Sequence, residues 1–216
     1  MTERIEKTIN ALKSNHMDVY FCETGAEAKE KALSLIEKGS TVAIGGSVTV
    51  SSLGILDELR SGNYNFIDRH AAKTPEELKE VFRKSFFADS YICSANAITV
   101  NGELYNVDGT GNRVACMLYG PDSVIIVAGV NKIVDNLDEA FVRLKEIAGP
   151  LNCKRLNKNT YCQKTGKCVA FANGKEHEMT SACKSADRIC RDFVVMSEQA
   201  QKGRVKIVLV NEELGY

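Results

Sequence analysis

The sequence predicts an α/β fold, a mostly parallel sheet covered by helices on both faces with one antiparallel β-hairpin added. Two observations predict it. Short apolar segments at 18–22, 41–44, 65–67, 90–93 and 123–130 alternate with stretches whose apolar residues recur at helical spacing. After the fourth segment, Asn101-Gly102 stands between Ala97-Ile98-Thr99-Val100 and Leu104-Tyr105-Asn106-Val107, a strong local hairpin signal when both turn residues take positive φ.

The elements follow in order. Ile5, Ile9 and Leu12 place one apolar face on an N-terminal helix. After the strand at 18–22, Thr24 and Glu27 form a capping box that opens a second helix, and Gly39 is its expected left-handed stop. The strand at 41–44 runs into Gly45-Gly46-Ser47 and a helix carrying Leu53, Leu56 and Leu59. A strand at 65–67 precedes Thr74-Pro75-Glu76-Glu77, which combines an N-cap, a first-turn proline and an acidic third position ahead of Leu78, Val81 and Phe82. The strand at 90–93 leads into the hairpin. Residues 112–119 read as a helix ending at Gly120-Pro121, and 123–130 as a buried strand. Asn136 with Glu139 caps a helix running to Ala148. Beyond Gly149-Pro150 the pattern breaks, and 151–191 reads as a cysteine-rich irregular segment within one domain spanning 1–216. Strands return at 192–196 and 205–210.

Bulk properties narrow the function classes. The chain has 216 residues, enough for a substantial core, with 44% hydrophobic and 26% charged residues. Lys plus Arg and Asp plus Glu both total 28, so no net field recruits nucleic acid or an anionic membrane. The charged opening MTERIEKTINALKSN lacks the apolar centre of a signal peptide, and the longest apolar run, 124–130, is too short to span a bilayer. A cytoplasmic protein without membrane insertion is therefore expected. In a reducing compartment its eight cysteines are read as metal-binding, catalytic or buried thiols rather than disulfides.

The most informative stretch is 96–132, where Gly, Asn and Asp crowd the ends of short strands. Three constellations carry chemistry. Gly45-Gly46-Ser47-Val48-Thr49 lies between strand and helix, where bare backbone amides approach an anion; it matches neither a P-loop nor a dinucleotide fingerprint, and a plain turn is the alternative. Asp108-Gly109-Thr110-Gly111-Asn112-Arg113 offers amides, a hydroxyl and a guanidinium at a helix start, with Asn96, Thr99 and Asn106 in the adjoining hairpin. The alternative there is a helix cap and a surface ion pair. Asn131 and Lys132 close the buried strand, and open α/β sheets bind ligands outside the carboxyl ends of their strands. Together these residues describe a pocket for a small anionic metabolite, in which Arg113 and the amides hold the anion and Asp108 orients a hydroxyl or acts as a base.

The C-terminal cysteines form a fourth constellation. Cys162, Cys168, Cys183 and Cys190 are candidate zinc or iron–sulfur ligands by residue type. Their spacings miss the usual Cys-x2-Cys pattern, so reduced structural or redox-sensitive thiols are the other reading. His177 falls in the same segment, in a polar loop expected to face solvent. Cys22, Cys93 and Cys116 sit on strand or helix positions and are expected to pack as small hydrophobes. No serine-triad pattern is present.

Taken together these motifs resemble the LUD domain family, the group that includes lactate utilisation protein C. The resemblance covers nearly the whole chain. It rests on Gly45-Gly46-Ser47-Val48-Thr49, Asn96-Ala97-Ile98-Thr99, Asn101-Gly102, Asp108-Gly109-Thr110-Gly111-Asn112-Arg113, Gly120-Pro121 and Asn131-Lys132-Ile133. It also rests on Cys162 with Thr165-Gly166-Lys167-Cys168 and on Asp187-Arg188-Ile189-Cys190. It implies a three-layer αβα Rossmann-like fold similar to sugar-phosphate isomerases and CoA-transferases (the NagB/RpiA/CoA-transferase-like group). It also implies a link to L-lactate oxidation to pyruvate beside iron–sulfur partner proteins. Two alternatives accompany it: a non-catalytic redox or iron–sulfur accessory or assembly protein, and an isomerase, CoA-transferase or cyclo-ligase. A homo-oligomer is compatible with all three. The chain departs from the family's tail pattern at Tyr161, where proline is common, and by an insertion at 169–182 that leaves Cys183 in place of the next cysteine.

Overall fold

A computed structural model describes residues 1–175 and 178–216; His177 lies outside the described residues. Among the described residues ten strands form two sheets. In chain order they are β1 (Asp18–Cys22), β2 (Thr41–Ile44), β3 (Asn65–Ile67), β4 (Ser90–Cys93), β5 (Ala97–Thr99), β6 (Leu104–Asp108), β7 (Ser123–Gly129), β8 (Ile133–Val134), β9 (Asp192–Met196) and β10 (Val205–Val210). The larger sheet has six strands in the order β1-β10-β7-β4-β2-β3, every pairing parallel. The smaller is mixed, in the order β8-β5-β6-β9.

Alternation along the central strands sets the layers, because successive side chains point to opposite faces. On β7, Ile125 and Val127 meet α2 (Gly25–Ser34) and the short helices α3 (Val48–Ser52) and α4 (Ile55–Leu59). Val124, Ile126 and Ala128 face the other way, toward α1 (Glu3–Ser14), α6 (Asn112–Leu118) and the smaller sheet through Ile98, Leu104 and Met196. The far side of the smaller sheet carries Ala97, Tyr105 and Val107 against Phe141 and Leu144. Each fully buried Ile or Leu in these layers contributes roughly 1.5–3 kcal/mol of transfer free energy.

The hairpin forms by a different turn from the one its sequence suggests. Gly102 alone takes positive φ (82°), and the loop closes through Gly102 N to Thr99 O (2.9 Å) and Thr99 N to Glu103 O (2.9 Å). This is a three-residue loop ending in a left-handed glycine. A Cβ on Gly102 would lie 2.7 Å from the Leu12 nitrogen, so the turn docks on the backbone of α1, where Asn15 Nδ2 donates to the carbonyls of Asn101 and Gly102.

Four boundaries also differ. The helix expected around Leu53, Leu56 and Leu59 is two helices broken at Gly54 (φ 66°). Helix α2 ends at Ser34, ahead of Gly39, which instead turns the chain into β2. The helix opened by Asn136 does not stop at Ala148. α7 (Leu137–Arg143) passes through a π-helical stretch, Leu144–Ala148, into α8 (Gly149–Arg155). Pro150 has no N–H and its ring crowds the preceding turn, and the wider π-turn accommodates both. The segment 151–191 is accordingly part helical, with α9 (Tyr161–Thr165) and α10 (Val169–Ala172). The expected helix at 74–85 is α5 (Pro75–Ser85), capped by Thr74.

Candidate functional site

The chain leaves β2 toward β3 on one side and leaves β4 toward β7 on the other. That reversal opens a crevice outside the carboxyl ends of β2 and β4, the usual ligand position in an open parallel sheet. Gly45-Gly46-Ser47 forms one lip and Ser94-Ala95-Asn96 the other. A Cβ on Gly45 would lie 3.0 Å from Cys93 and 3.1 Å from the Arg113 side chain, so the two lips touch at their base.

Beneath them runs a continuous polar network. Lys132 follows β7 in a short 3-10 turn and is 2% exposed. Its Nζ lies 3.0 Å from Thr49 Oγ1, 2.9 Å from Ser94 Oγ and 3.3 Å from the Ala95 carbonyl. Arg113, on α6, donates to Ser94 O (2.9 Å), Asn106 Oδ1 (2.8 Å), Asn96 Oδ1 (3.1 Å) and Val107 O (3.0 Å). Arg143, on α7, donates to the Asn96 and Asn131 carbonyls. No carboxylate lies within 4 Å of these three cations among the described residues. Burial, with Arg143 and Arg113 nearby, lowers the Lys132 pKa to about 7.

The sequence-predicted residues divide into three groups. Gly45, Thr49, Asn96, Asn106, Arg113 and Lys132 come together in the crevice or its floor, with Gly46 and Ser47 at its mouth. Arg113 is a brace there: both terminal nitrogens are committed to protein acceptors, and its charge rather than a free N–H reaches the crevice. Asn106 Nδ2, fully buried, has no hydrogen-bond partner among the described residues. Asp108 also turns to structural use, its Oδ2 accepting from Arg113 N (2.9 Å) and Val114 N (3.3 Å) in the first turn of α6. Gly109, Thr110, Gly111 and Asn112 form the loop beside it: Thr110 bonds Asn112, and Gly109 packs on Ile189. Thr99 stays in the hairpin turn, bonded to Glu103. Asn131 faces the C-terminal segment, where its side chain bonds Leu214 N (3.2 Å) and Gly215 O (3.3 Å).

Sequence reading missed Ser94, Arg69, Arg143 and the segment 211–216. Ser94 and Arg69 both follow strand ends, so the strand-end rule that picked out Gly45 and Lys132 applies equally to them. Arg69 stands 3.1 Å from where a Gly46 Cβ would be, stacks on Phe82 and forms no hydrogen bond or ion pair among the described residues. Arg143 sits among the charges of an amphipathic helix, where nothing in the sequence separates it from a solvated residue.

The C-terminal thiols do not assemble as a ligand set: among the described residues no group of three or more His, Cys, Asp or Glu is placed to hold a metal. Cys162 instead has the buried Cys153 as its neighbour, which lowers the Cys162 pKa to about 6. Thr160 Oγ1 lies 3.4 Å from the Cys162 sulfur. Cys183 is half-buried in a stretch without regular structure. Cys22, Cys93 and Cys116 are buried in the core.

A parallel α/β sheet with a buried cationic floor at its switch point defines the class of protein. The chain belongs to the LUD domain family, whose model matches residues 5–210. The fold is similar to that of a DUF162 family protein from Deinococcus radiodurans, at 12% identity and a TM-score of 0.54 over 96% of each chain. Also similar, at 18% identity and a TM-score of 0.36, is eIF2B delta from Chaetomium thermophilum, over 61% of this chain and 53% of that one. No curated protein matches. No helix among the described residues is long and apolar enough to cross a membrane.

Proposed function

We propose that this LUD domain protein binds a small anionic metabolite in the crevice between β2 and β4, as part of lactate utilisation. The observation that carries the reading is the cluster of Lys132, Arg113 and Arg143, three buried cations without a carboxylate within 4 Å among the described residues. Buried charge of one sign is costly unless something opposes it, and an anion in the crevice supplies that opposition. The Gly46 and Ser47 amides, without a backbone partner among the described residues, and the Arg69 guanidinium give the anion donors at the mouth. Family membership supports the lactate link, which makes 2-hydroxy acids the first ligands to try.

Thermal melting with L-lactate and other 2-hydroxy acids, phosphorylated sugars and acyl-CoAs tests this. A ligand of the folded state raises Tm by mass action. Arg69→Ala should then weaken the effective anion by about 1.5–3 kcal/mol, the worth of a hydrogen bond to a charged group. If none of the three classes moves the melting curve, the reading fails. The competing accessory reading puts a metal on the cysteine segment through Cys162, Cys168, Cys183 and Cys190. Elemental analysis of anaerobically purified protein separates the two, since stoichiometric iron or zinc would favour the accessory role.

A further inference from the structure

Ser94 and Lys132 follow adjacent parallel strands, β4 and β7, and meet with 2.9 Å between Oγ and Nζ. The hydrogen-bond inventory around Nζ is directional. Thr49 Oγ1 donates its proton to the Leu214 carbonyl at 3.1 Å, so toward Lys132 it accepts. The Ala95 carbonyl accepts as well. As an ammonium Lys132 donates to all three groups, Ser94 Oγ included, while the Ser94 hydroxyl donates to the Ala95 carbonyl at 3.5 Å. Once neutral, Lys132 keeps two N–H groups and gains a lone pair; with both N–H groups on Thr49 and Ala95, that lone pair faces the Ser94 hydroxyl. The groups that act on Lys132 favour this neutral form: burial, Arg143 on α7 and Arg113 on α6 all oppose its charge, and only the buried Cys93 thiol on β4 acts the other way. Ser94 is itself held in place, since Arg113 donates to its carbonyl.

We propose that Ser94 is a nucleophile and Lys132 its general base, acting on an activated acyl group, an ester or thioester, carried by an anionic molecule. The proposal rests on the anion-binding reading above for the charge of its substrate. In the step, Ser94 Oγ forms a bond to the acyl carbon and its proton passes to Lys132 Nζ. The bond from that carbon to the alcohol or thiol leaving group breaks, and Lys132 returns the proton to the leaving group. Water then attacks the acyl-Ser94 ester, giving one proton to Lys132, which restores the Ser94 hydroxyl as the free acid departs. No oxidant or reductant enters.

The pair is closed in this conformation, with Ser94 6% and Lys132 2% exposed. On its Thr49 side the pair is bounded by the segment 214–216. Leu214 bonds Thr49 and Asn131, Gly215 bonds Asn131, and the Tyr216 hydroxyl accepts from Arg155 Nε at 2.9 Å. Substrate entry from that side therefore requires this short segment to swing away.

An alkyl fluorophosphonate, which phosphonylates an activated serine with loss of fluoride, tests the pair on the full chain by peptide mass mapping. The expected result is an adduct on Ser94, formed faster in Asn131→Ala, where the segment loses two bonds, and absent in Ser94→Ala. Lys132→Met should slow the labelling by about a hundredfold, within the usual range for a general base. If that variant does not fold, the wild-type pH profile decides. A rate rising with a single ionisation near neutrality supports the base, and a rate still climbing with hydroxide above pH ~9, where an ordinary lysine first begins to lose its proton, overturns it. Absence of a Ser94 adduct from both wild type and Asn131→Ala at alkaline pH also overturns it. A 4-nitrophenyl ester and an S-phenyl thioester of the same dicarboxylic acid then identify the acyl class, and cleavage of neither removes the acyl assignment. Melting shifts with anions, measured on the same samples, keep the two readings apart: a shift without an adduct leaves anion binding and removes the pair, and an adduct without any shift does the reverse.

Discussion

Lys132 is a residue whose cost and use are the same fact. Burial lowers its pKa from 10.5 to about 7 in the folded chain. Between those two values the unfolded chain holds a proton that the folded chain has released, so stability rises with pH across that window. Below about pH 7 both forms are charged and the full cost of burying the ammonium is present. Urea unfolding should therefore show a stability that climbs from neutral to alkaline pH, and Lys132→Met should flatten that slope. Arg113 poses a different case. Arg113→Ala removes a donor from Ser94 O, Val107 O and Asn106 Oδ1, and takes one of two donors from Asn96 Oδ1, which keeps the Val107 N–H. At about 1–3 kcal/mol for each buried polar group left unpaired, relieved in part by relaxation, a loss of about 3 kcal/mol or more is expected in equilibrium unfolding. A loss under about 1 kcal/mol, the size of a surface pair, would show that Arg113 is not the brace its bonds describe.

At the scale of elements, the approach of the C-terminal segment to β7 is the sharpest constraint. A Cβ on Gly129 would press on the Glu212 carbonyl and lie 2.7 Å from Leu214 N, both backbone atoms that cannot turn aside. Gly129→Ala should thus displace 211–216 while β7, paired on both sides with β4 and β10, stays in place. Faster amide hydrogen exchange in 211–216, with little change in far-ultraviolet circular dichroism, is the expected result; unchanged exchange would mean that the segment is not seated there. This also shows where sequence reading stops. The strands at 18–22, 41–44, 65–67 and 90–93 were legible because each is a short apolar run between helices with clear caps, such as Thr24 and Thr74. The crevice was legible at Gly45, Asn96 and Lys132 because strand-end position is a sequence property. The neighbouring segment was not, since Leu214-Gly215-Tyr216 carries no periodicity and is held by main-chain bonds to Thr49 and Asn131 and by the Tyr216 hydroxyl. The Pro150 boundary misled for a related reason: proline forbids an ordinary helical turn, and the π-turn that admits it is set by packing of Leu144 and Ala148 in the core.

The whole molecule is two sheets sharing one apolar layer, and its thiols report separately on that layer and on the C-terminal segment. Cys93 and Cys116 are buried where the larger sheet meets α6, and burial pushes their pKa up to about 12 and about 11. Cys162 is half-exposed and held down near 6 by its Cys153 neighbour. Because the thiolate is the reactive form, iodoacetamide at neutral pH should modify Cys162 well before Cys93 or Cys116. Modification of the two core thiols requires the layer between the sheets to open, so their rates should rise together as denaturant lowers global stability. Arg113 binds the two sheets at that layer through Ser94 on one side and Val107 on the other. Arg113→Ala should therefore accelerate Cys93 and Cys116 in parallel and leave Cys162 nearly unchanged. If Cys116 on α6 were freed well ahead of Cys93 on β4, helix and sheet would be opening separately, and the single shared core would have to be replaced by two weakly coupled ones.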